Sequence, residues 1–383
     1  MKTLAGIALF CIPLHLLAQD SVAVKPFQVT GYVKDMQSLT FNNDFSELIT
    51  GNLIHNRLNF RFKPVKGFTA AMEMRNRFFW GEEVKLTPDF PAGLKYSSEW
   101  ADLSVAWVET ESMVLYTNID RLWMEYASEV WNVRVGRQRI NWGITATWNP
   151  NDLFNTYNFL DFDYEERPSA DAIKGQYMLG SMSHLELAVS RSGSPIDKTI
   201  AAVRYFTNYR NYDLQFLAGW YLDQPTVGLG WSGSLGNTGF KGEGQYFIQQ
   251  GTFQSQFNLA LEADYIFSNG WYISGGGLFN SRGLDEPVDT WDVTSLQLSP
   301  LNPMPTKWNL TGAFSKAATP LLTLSAGAVY APQTNLLIVL PSVRYNLATN
   351  LDIDLVWQSF FAEKNSGFDA LSHRAFVRFK WSF

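Results

Sequence analysis

The chain has 383 residues, of which 15% are aromatic and 17% charged, and its formal net charge is −6 at pH 7. This acidic balance argues against a nucleic-acid-binding protein, which would carry a basic surface. The single cysteine, Cys11, excludes a disulfide framework and thiolate metal sites. Many aromatic residues at a near-neutral mean hydropathy of −0.12 are typical of aromatic girdles around an alternating barrel.

Residues 1–19 have the form of a secretory signal peptide. A basic start precedes an apolar run from 4 to 17, and small and polar residues close it. We expect this leader to be removed, which leaves 20–383 as a single domain without cysteine. Phe10 before Cys11 argues against a lipoprotein, because the small residue of a lipobox is missing. No later stretch is long and apolar enough for a spanning helix, so any membrane crossing would use strands.

From residue 27 to the end of the chain, apolar and polar residues alternate with the period of a two-faced strand. In residues 52–63, apolar side chains on one face oppose histidine, arginine, asparagine and lysine on the other. A soluble core cannot easily use such a basic inner face, whereas a water-filled lumen can. The same division recurs in residues 68–77, 212–220 and 257–265.

Every second connection between the predicted strands is a tight turn, and the largest of the others are 37–51, 78–117, 140–170 and 281–305. Outer-membrane barrels have short periplasmic turns on one rim and long loops on the other. Counting strands gives about eighteen, within a range of roughly sixteen to twenty, and residues 78–117 hold one further candidate hairpin. The sequence therefore predicts an all-β fold, a transmembrane antiparallel up-and-down β-barrel.

The last strand ends on alternating aromatic residues, Phe379, Trp381 and Phe383. This ending resembles the strand that the barrel-assembly machinery recognises when it inserts outer-membrane barrels. The resemblance implies outer-membrane lipids and that machinery as partners. An ordinary edge strand is the alternative, although exposed edges are normally blunted.

The alternation also predicts which charged residues line the pore. The basic ones lie mainly on the early strands and the last: Arg57, Arg61, Lys63, Arg75, Arg77, Arg121, Arg134, Arg204, Arg374 and Arg378. The acidic ones lie on later strands: Asp213, Glu243, Glu262, Asp264, Asp352 and Asp354. Facing arcs of opposite charge would make a transverse field that orients polar solutes. In the alternative, Glu73, Glu125, Glu186 and Lys241 pair with neighbours and the lumen is neutralised.

Two arginines in the following segment conflict with the alternation. Arg137 and Arg139 share the parity of Val133 and Val135 and would face lipid, where each would cost about 2–4 kcal/mol at the midplane. A bulge that changes the register would remove this cost. A strand that has already risen above the hydrocarbon would do the same.

The run Gly136-Arg137-Gln138 with Trp142-Gly143, followed by Trp148-Asn149-Pro150, resembles the signature stretch of porin-like and alginate-export-like outer-membrane barrels of Gram-negative bacteria. The resemblance implies that the third external loop, 140–170, folds into the barrel and narrows it. We assign to this constriction loop Trp142, Trp148, Asp161, Asp163, Glu165, Glu166 and Arg167. A surface loop packed on the rim is the alternative, and calcium at the acidic cluster stays an open possibility.

Catalysis is not expected, because His55, His184 and His373 lie on distant strands and no G-x-S-x-G sequence is present. Residues 228–233 spell G-x-G-x-x-G, but no helix is predicted after them. A TonB-type transporter would need a plug domain before the barrel, and the first predicted strand follows the leader closely.

These observations predict an outer-membrane channel for passive diffusion of small polar or anionic solutes, without a cofactor. The alternative is a non-conducting barrel that serves as a structural or accessory subunit of a surface assembly or secretion complex. Homo-oligomers and accessory surface proteins are open as partners, whereas nucleic acid is not expected.

Overall fold

The computed structural model describes residues 26–95, 99–156, 158–192, 198–288, 298–364 and 367–383. The predicted leader, residues 1–19, lies outside the described residues. Within them, nineteen strands form one antiparallel sheet that closes on itself, because the first strand pairs with the last. The strands are β1 (Phe27–Phe41), β2 (Leu48–Phe62), β3 (Phe68–Gly81), β4 (Ser104–Glu109), β5 (Met113–Ala127), β6 (Trp131–Gln138), β7 (Ala170–Met178), β8 (His184–Arg191), β9 (Thr199–Tyr209), β10 (Tyr212–Tyr221), β11 (Gln224–Leu235), β12 (Thr238–Phe247), β13 (Gln256–Ile266), β14 (Trp271–Asn280), β15 (Trp308–Ala317), β16 (Leu322–Ala331), β17 (Leu336–Ala348), β18 (Leu351–Lys364) and β19 (Gly367–Ser382).

Eighteen of these strands build the wall, so the predicted fold class and strand count are confirmed. β4 is the additional one, and it pairs with residues 114–118 of β5 where β6 has already ended at Gln138. The predicted extra hairpin in 78–117 is thus present as β4 and the start of β5. We call the rim that holds the first and last residues of the wall the termini rim, and the opposite one the loop rim.

The wall exposes its apolar side chains and buries its polar ones, the reverse of a soluble protein. In β8, Leu185, Leu187 and Val189 are exposed, whereas Glu186 and Ser190 between them are buried. Successive side chains of a strand point to opposite faces, so the outer face is apolar and the inner face is polar. Such a surface is suited to contact with lipid around a polar interior.

Two short helices, α1 (Glu82–Leu86) and α2 (Phe90–Lys95), follow β3 at the loop rim. Val84 of α1 is buried together with Val114 and Tyr116 of β5, which attaches this connection to the wall. None of the helices in the described part of the chain is long and apolar enough to cross a membrane.

Backbone irregularities occur in both β5 and β6, and charged side chains lie beside each of them. The pairing of β3 with β5 skips Asp120, so Asp120 and Arg121 are both buried on the inner side. In β6, Gly136 has a φ of +115°, a conformation that glycine adopts readily. Arg137 follows it, and its guanidinium donates to the Asp171 carboxylate at 2.9 and 3.0 Å.

Arg137 keeps the parity of Val135, because β6 pairs with β5 without a register shift and places Arg137 opposite the exposed Leu122. No bulge turns Arg137 inward, and other residues cover its side chain instead. Arg137 is 2% exposed, and it also donates to the carbonyl groups of Ile119 and Ala101. Its charge is neutralised by Asp171 and covered by the segment that leads into β4. Arg139 lies beyond the end of β6 and lines a cavity on the inner side.

Candidate functional site in the barrel lumen

The connection from β6 to β7, residues 139–169, runs inside the barrel, and we call it the inward loop. Its first half contacts inner side chains of β8, β10, β12 and β13. Its second half contacts β1, β2, β5, β18 and β19. The two groups of strands lie on different sides of the wall, so the loop crosses the lumen.

Glu243 of β12 holds the first turn of the inward loop. Its carboxylate accepts the backbone N–H groups of Ile144, Thr145 and Asn151, each at 3.0 Å. The Thr145 hydroxyl and the Asn149 amide donate to the same carboxylate at 2.7 and 3.0 Å. Glu243 is completely buried, and bonds to a charged acceptor are stronger than neutral ones. These five donors therefore fix the turn to the wall.

Trp142 is held by side chains of β8 and β10, which lie on either side of β9. Its indole N–H donates to Glu186 at 2.9 Å, and Gln215 donates to its carbonyl at 2.7 Å. Its backbone N–H donates to Asp152 at 3.1 Å. Burial raises the pKa of Asp152 to about 8, so this loop carboxyl is largely neutral at pH 7. Hydrogen bonds, more than ion pairs, hold this half of the loop.

Asp163 forms the centre of the contact between the second half of the loop and the wall. Its carboxylate contacts Lys34 at 3.1 Å, His55 at 2.7 Å and Arg378 at 3.2 Å. Burial alone would raise the pKa of Asp163, but the His55 hydrogen bond and the charges of Lys34 and Arg378 hold it well below its usual range. Three strands, β1, β2 and β19, thus converge on one carboxylate.

The two residues after Asp163 extend this contact. Glu165 contacts Arg378 at 3.2 Å and Lys380 at 2.6 Å, and the guanidinium of Arg75 lies 4.0 Å from the centre of the Tyr164 ring. Charges and cation–π contacts in the same place make this the strongest electrostatic contact of the loop.

Asp120, which the β5 bulge turns inward, organises the arginines behind the loop. It is completely buried, contacts Arg57, and lies 3.4 Å from Arg75. Arg121 donates to the loop carbonyls of residues 166–167 at 2.9 and 2.8 Å. The arginines of β2, β3 and β5 are therefore held close together although their charges repel.

The remaining residues assigned to the constriction loop differ in their surroundings. Trp148 is buried in an apolar cluster with Met304, and Asp161 is exposed. Glu166 lies 3.8 Å from Arg57, and Arg167 donates to Asn149 at 3.4 Å. In the described part of the chain, no group of three or more His, Cys, Asp or Glu side chains is arranged to hold a metal ion.

The basic residues predicted for the pore lie on the inner side of the wall or at its inner rim. Strand pairing and burial place these residues there: Arg57, Arg61, Lys63, Arg75, Arg77, Arg121, Arg134, Arg204, Arg374 and Arg378. Arg77 lies between the rings of Phe79 and Tyr116, at 5.5 and 5.6 Å from their centres.

Beside the loop, toward the termini rim, the lumen contains a cavity of about 300 Å³, which we call the basic cavity. Its lining comprises Arg61, Lys63, Thr69, Glu73, Arg121, Trp123, Glu125, Arg134 and Arg139. Arg134 contacts Glu125 at 2.5 Å. Arg61, Lys63 and Arg139 form no salt bridge with a carboxylate of the described residues. The cavity therefore carries a net positive charge.

The acidic residues predicted for the pore also lie on the inner side, where most have partners: Asp213, Glu243, Glu262, Asp264, Asp352 and Asp354. Lys241 contacts Glu262 and Asp264 at 3.0 and 3.4 Å, and Arg378 contacts Asp354 at 2.8 Å. Glu73, Glu125 and Glu186 each pair with an arginine. The inward loop stands between the basic and acidic arcs.

The aromatic end of β19 faces outward at the termini rim. Phe379, Trp381 and Phe383 are 40%, 51% and 44% exposed. The backbone of Phe383 exchanges two hydrogen bonds of 2.9 Å with Gly31 of β1, which completes the closure of the barrel. Recognition of this strand by the assembly machinery stays a prediction.

An eighteen-stranded closed wall, an apolar exterior and a charged interior crossed by an inward loop together make a porin-like β-barrel fold. No family model matches the chain, and no curated protein matches it.

Solved structures resemble it in fold. OccAB4 of Acinetobacter baumannii has a TM-score of 0.58 and 12% identity, covering 94% of this chain and 99% of that one. OpdQ of Pseudomonas aeruginosa has a TM-score of 0.59 and 8% identity, covering 94% and 98%. OccK3 (OpdO) of Pseudomonas aeruginosa has a TM-score of 0.57 and 9% identity, covering 94% and 96%.

Sequence reasoning missed Asp120 and underrated Glu243. Asp120 follows Ile119 in a strand whose alternation continues on both sides, and the extra residue of a bulge leaves no reliable mark in such a pattern. Glu243 was assigned to an acidic wall of the pore, but its five donors come from the loop. The contact between the Glu243 carboxylate and the N–H groups of the loop turn can be recognised only in the folded structure, because the two segments are far apart in the chain.

Proposed function

We propose that the protein is a porin-like channel for passive diffusion of small polar solutes, with a preference for anions. The fold is shared with outer-membrane porins of Acinetobacter and Pseudomonas, which supports the class of protein and leaves the solute open. The observation that carries the preference is the basic cavity beside the inward loop. Its Arg61, Lys63 and Arg139 form no salt bridge with a carboxylate of the described residues.

The inward loop acts in this proposal as the constriction. It is bound to the wall at Glu243 on one side and through Asp163 on the other, so it stays at a fixed position in the lumen. A solute would pass beside the loop through the basic cavity, along Arg61, Lys63 and Arg139. Positive charge in a narrow, low-dielectric passage raises the local concentration of anions. Carboxylates, phosphate and acidic sugars are suitable solutes.

The non-conducting alternative has support from the same loop, because contacts with both sides of the wall would also suit a plug. Swelling of liposomes that contain the purified protein separates the two functions. We expect swelling with small neutral and anionic sugars, and faster swelling with the anionic sugar of equal size. No swelling with any solute would favour a structural subunit, and equal rates for both sugars would refute the anion preference.

A further inference from the structure

One part of the barrel exterior breaks the apolar pattern of the rest. Asp35 and Gln37 of β1 pair across the sheet with Phe379 and Val377, which are 40% and 36% exposed on the outer face. Cross-strand partners point to the same face, so Asp35 and Gln37 also point outward. The Gln37 amide donates to Asp35 at 2.7 Å. Within the described residues, this carboxylate has no salt bridge with a basic side chain.

Outward-facing polar side chains also occur on β2, β3, β5 and β4. Asn56 donates to the carbonyl of Tyr32, and Asn76 donates to Asn56, both at 3.1 Å. Thr117 donates to Asn76 at 2.7 Å, and the indole N–H of Trp107 donates to Thr117 at 2.9 Å. These bonds form a row that runs perpendicular to the strands. We call this row, together with Asp35 and Gln37, the polar seam.

The polar seam lies within the apolar band rather than at its edge. On β2, Ile54 and Leu58 flank Asn56 on the outer face, and on β3, Met74 and Phe78 flank Asn76. Each of the two asparagine amides has two N–H groups and uses one of them in these bonds. Lipid tails offer no partner for the second N–H or for a carboxylate, so exposure of the seam to lipid is unfavourable.

We infer that this face of the barrel, from β1 to β6, is an interface with a second copy of the chain. The seam itself supplies both halves of a complementary contact, since it holds an acceptor at Asp35 and spare donors at Asn56 and Asn76. A two-fold axis along the membrane normal would place β1 of one copy against β3 and β5 of the other. In such an interface each surface patch meets its own equivalent.

An apolar groove continues the same face toward the termini rim and supports the inference. Its volume is about 520 Å³, and its lining includes Phe60, Met72, Leu122, Met124 and Val135. A groove next to hydrogen-bonding groups gives a surface on which a partner can pack closely. Polar contacts matter within a membrane because apolar contact between protein surfaces has little driving force there. This interface does not depend on whether the lumen conducts.

Cysteine cross-linking tests the inference in the full-length chain with Cys11→Ser. Gln37→Cys and Asn76→Cys are placed in one chain, two strands apart and too distant to bond with each other. The control carries Ala263→Cys and Ala326→Cys, which face outward on β13 and β16. After mild oxidation of membranes, we expect a covalent dimer for the first variant only. Monomer in both, or cross-links of the seam to other envelope proteins alone, would overturn the inference.

A second variant tests the role of the polar groups. Asp35→Leu with Asn76→Leu keeps the surface suitable for lipid, so the barrel should fold and show heat-modifiable migration on a gel. We expect the dimer fraction of the detergent-solubilised protein to fall at least tenfold, as loss of charge-assisted hydrogen bonds implies. An unchanged dimer fraction in a folded variant would show that the seam does not hold the copies together.

Discussion

Replacing Asp163 with asparagine removes the charge on which three strands converge inside the lumen. Lys34, which is completely buried, would lose its contact at 3.1 Å, and Arg378 would lose one at 3.2 Å. Removing one partner from a buried ion cluster costs about 3–5 kcal/mol. Glu165 and Asp354 stay beside the two cations, so we expect the lower limit, about 3 kcal/mol. At 1.4 kcal/mol for each factor of ten, the released state of the loop becomes about 100-fold more populated.

Hydrogen exchange of the loop segment 158–167, measured by mass spectrometry in detergent, checks this magnitude. Amides of this segment should exchange about 100-fold faster in Asp163→Asn than in the wild type. Asp161→Asn is the matched control, because it makes the same chemical change at an exposed carboxylate two residues away that forms no salt bridge within the described residues. Equal exchange rates in the two variants would refute the role of Asp163 as the centre of this contact.

Further predictions concern other parts of the wall and loop. Glu243→Gln should lower the free energy of local opening of residues 144–151 by about 2 kcal/mol. Hydrogen exchange should become faster in this segment and stay unchanged in 158–167. Arg61→Gln with Lys63→Gln should lower the anion-to-cation permeability ratio severalfold in reversal-potential measurements, whereas Lys66→Gln in the exposed turn should not. Arg137→Gln leaves Asp171 without its cation and should lower the free energy of unfolding by about 3 kcal/mol in urea titrations. Raising the pH from 6 to 9 should ionise Asp152, whose pKa is raised, and should loosen the first half of the loop only.

The sign of the pH effect follows from the direction of each pKa shift. Asp152 has a pKa of about 8 in the folded protein, above that of an unfolded aspartate, so the loop loses stability as the pH rises toward 8. Asp163 has a pKa below its usual range, so its contribution is present at neutral pH and is lost only in acid. Hydrogen exchange of the two halves of the loop, measured as a function of pH, tests these two signs. If both halves loosened over the same pH range, the assignment of separate titrations to Asp152 and Asp163 would be contradicted.

The wall was predictable because its determinant is local. The alternation of apolar and polar residues along each strand predicts which side chains face outward and which face the lumen. Tight turns between strands indicate one rim. The predicted strand in 184–191 coincides with β8, and its inner Glu186 and outer Leu187 have the burial that the alternation requires. The aromatic ending at Phe383 likewise follows directly from the order of residues.

The alternation does not predict where a bulge changes the direction of a side chain, or which residues far apart in the chain contact each other. An extra residue at Asp120 turns that side chain toward the lumen, and Arg137 keeps the outward parity of β6 but is covered there. Arg137 acquires partners from residues 101 and 171, far along the chain. The resemblance of residues 136–150 to porin-like barrels implied that the loop turns inward. Its partners on the wall depend on the closed shape of the barrel, which no short segment encodes.

Single-channel recording in a planar lipid bilayer tests the central claim most directly, which is that the basic passage beside the inward loop conducts small anions. Purified protein should give steady ohmic steps, and the reversal potential in a salt gradient should show a preference for anions. That preference should weaken when Arg61 and Lys63 are replaced by glutamine. A silent bilayer with folded protein, or a current that prefers cations, would contradict the claim.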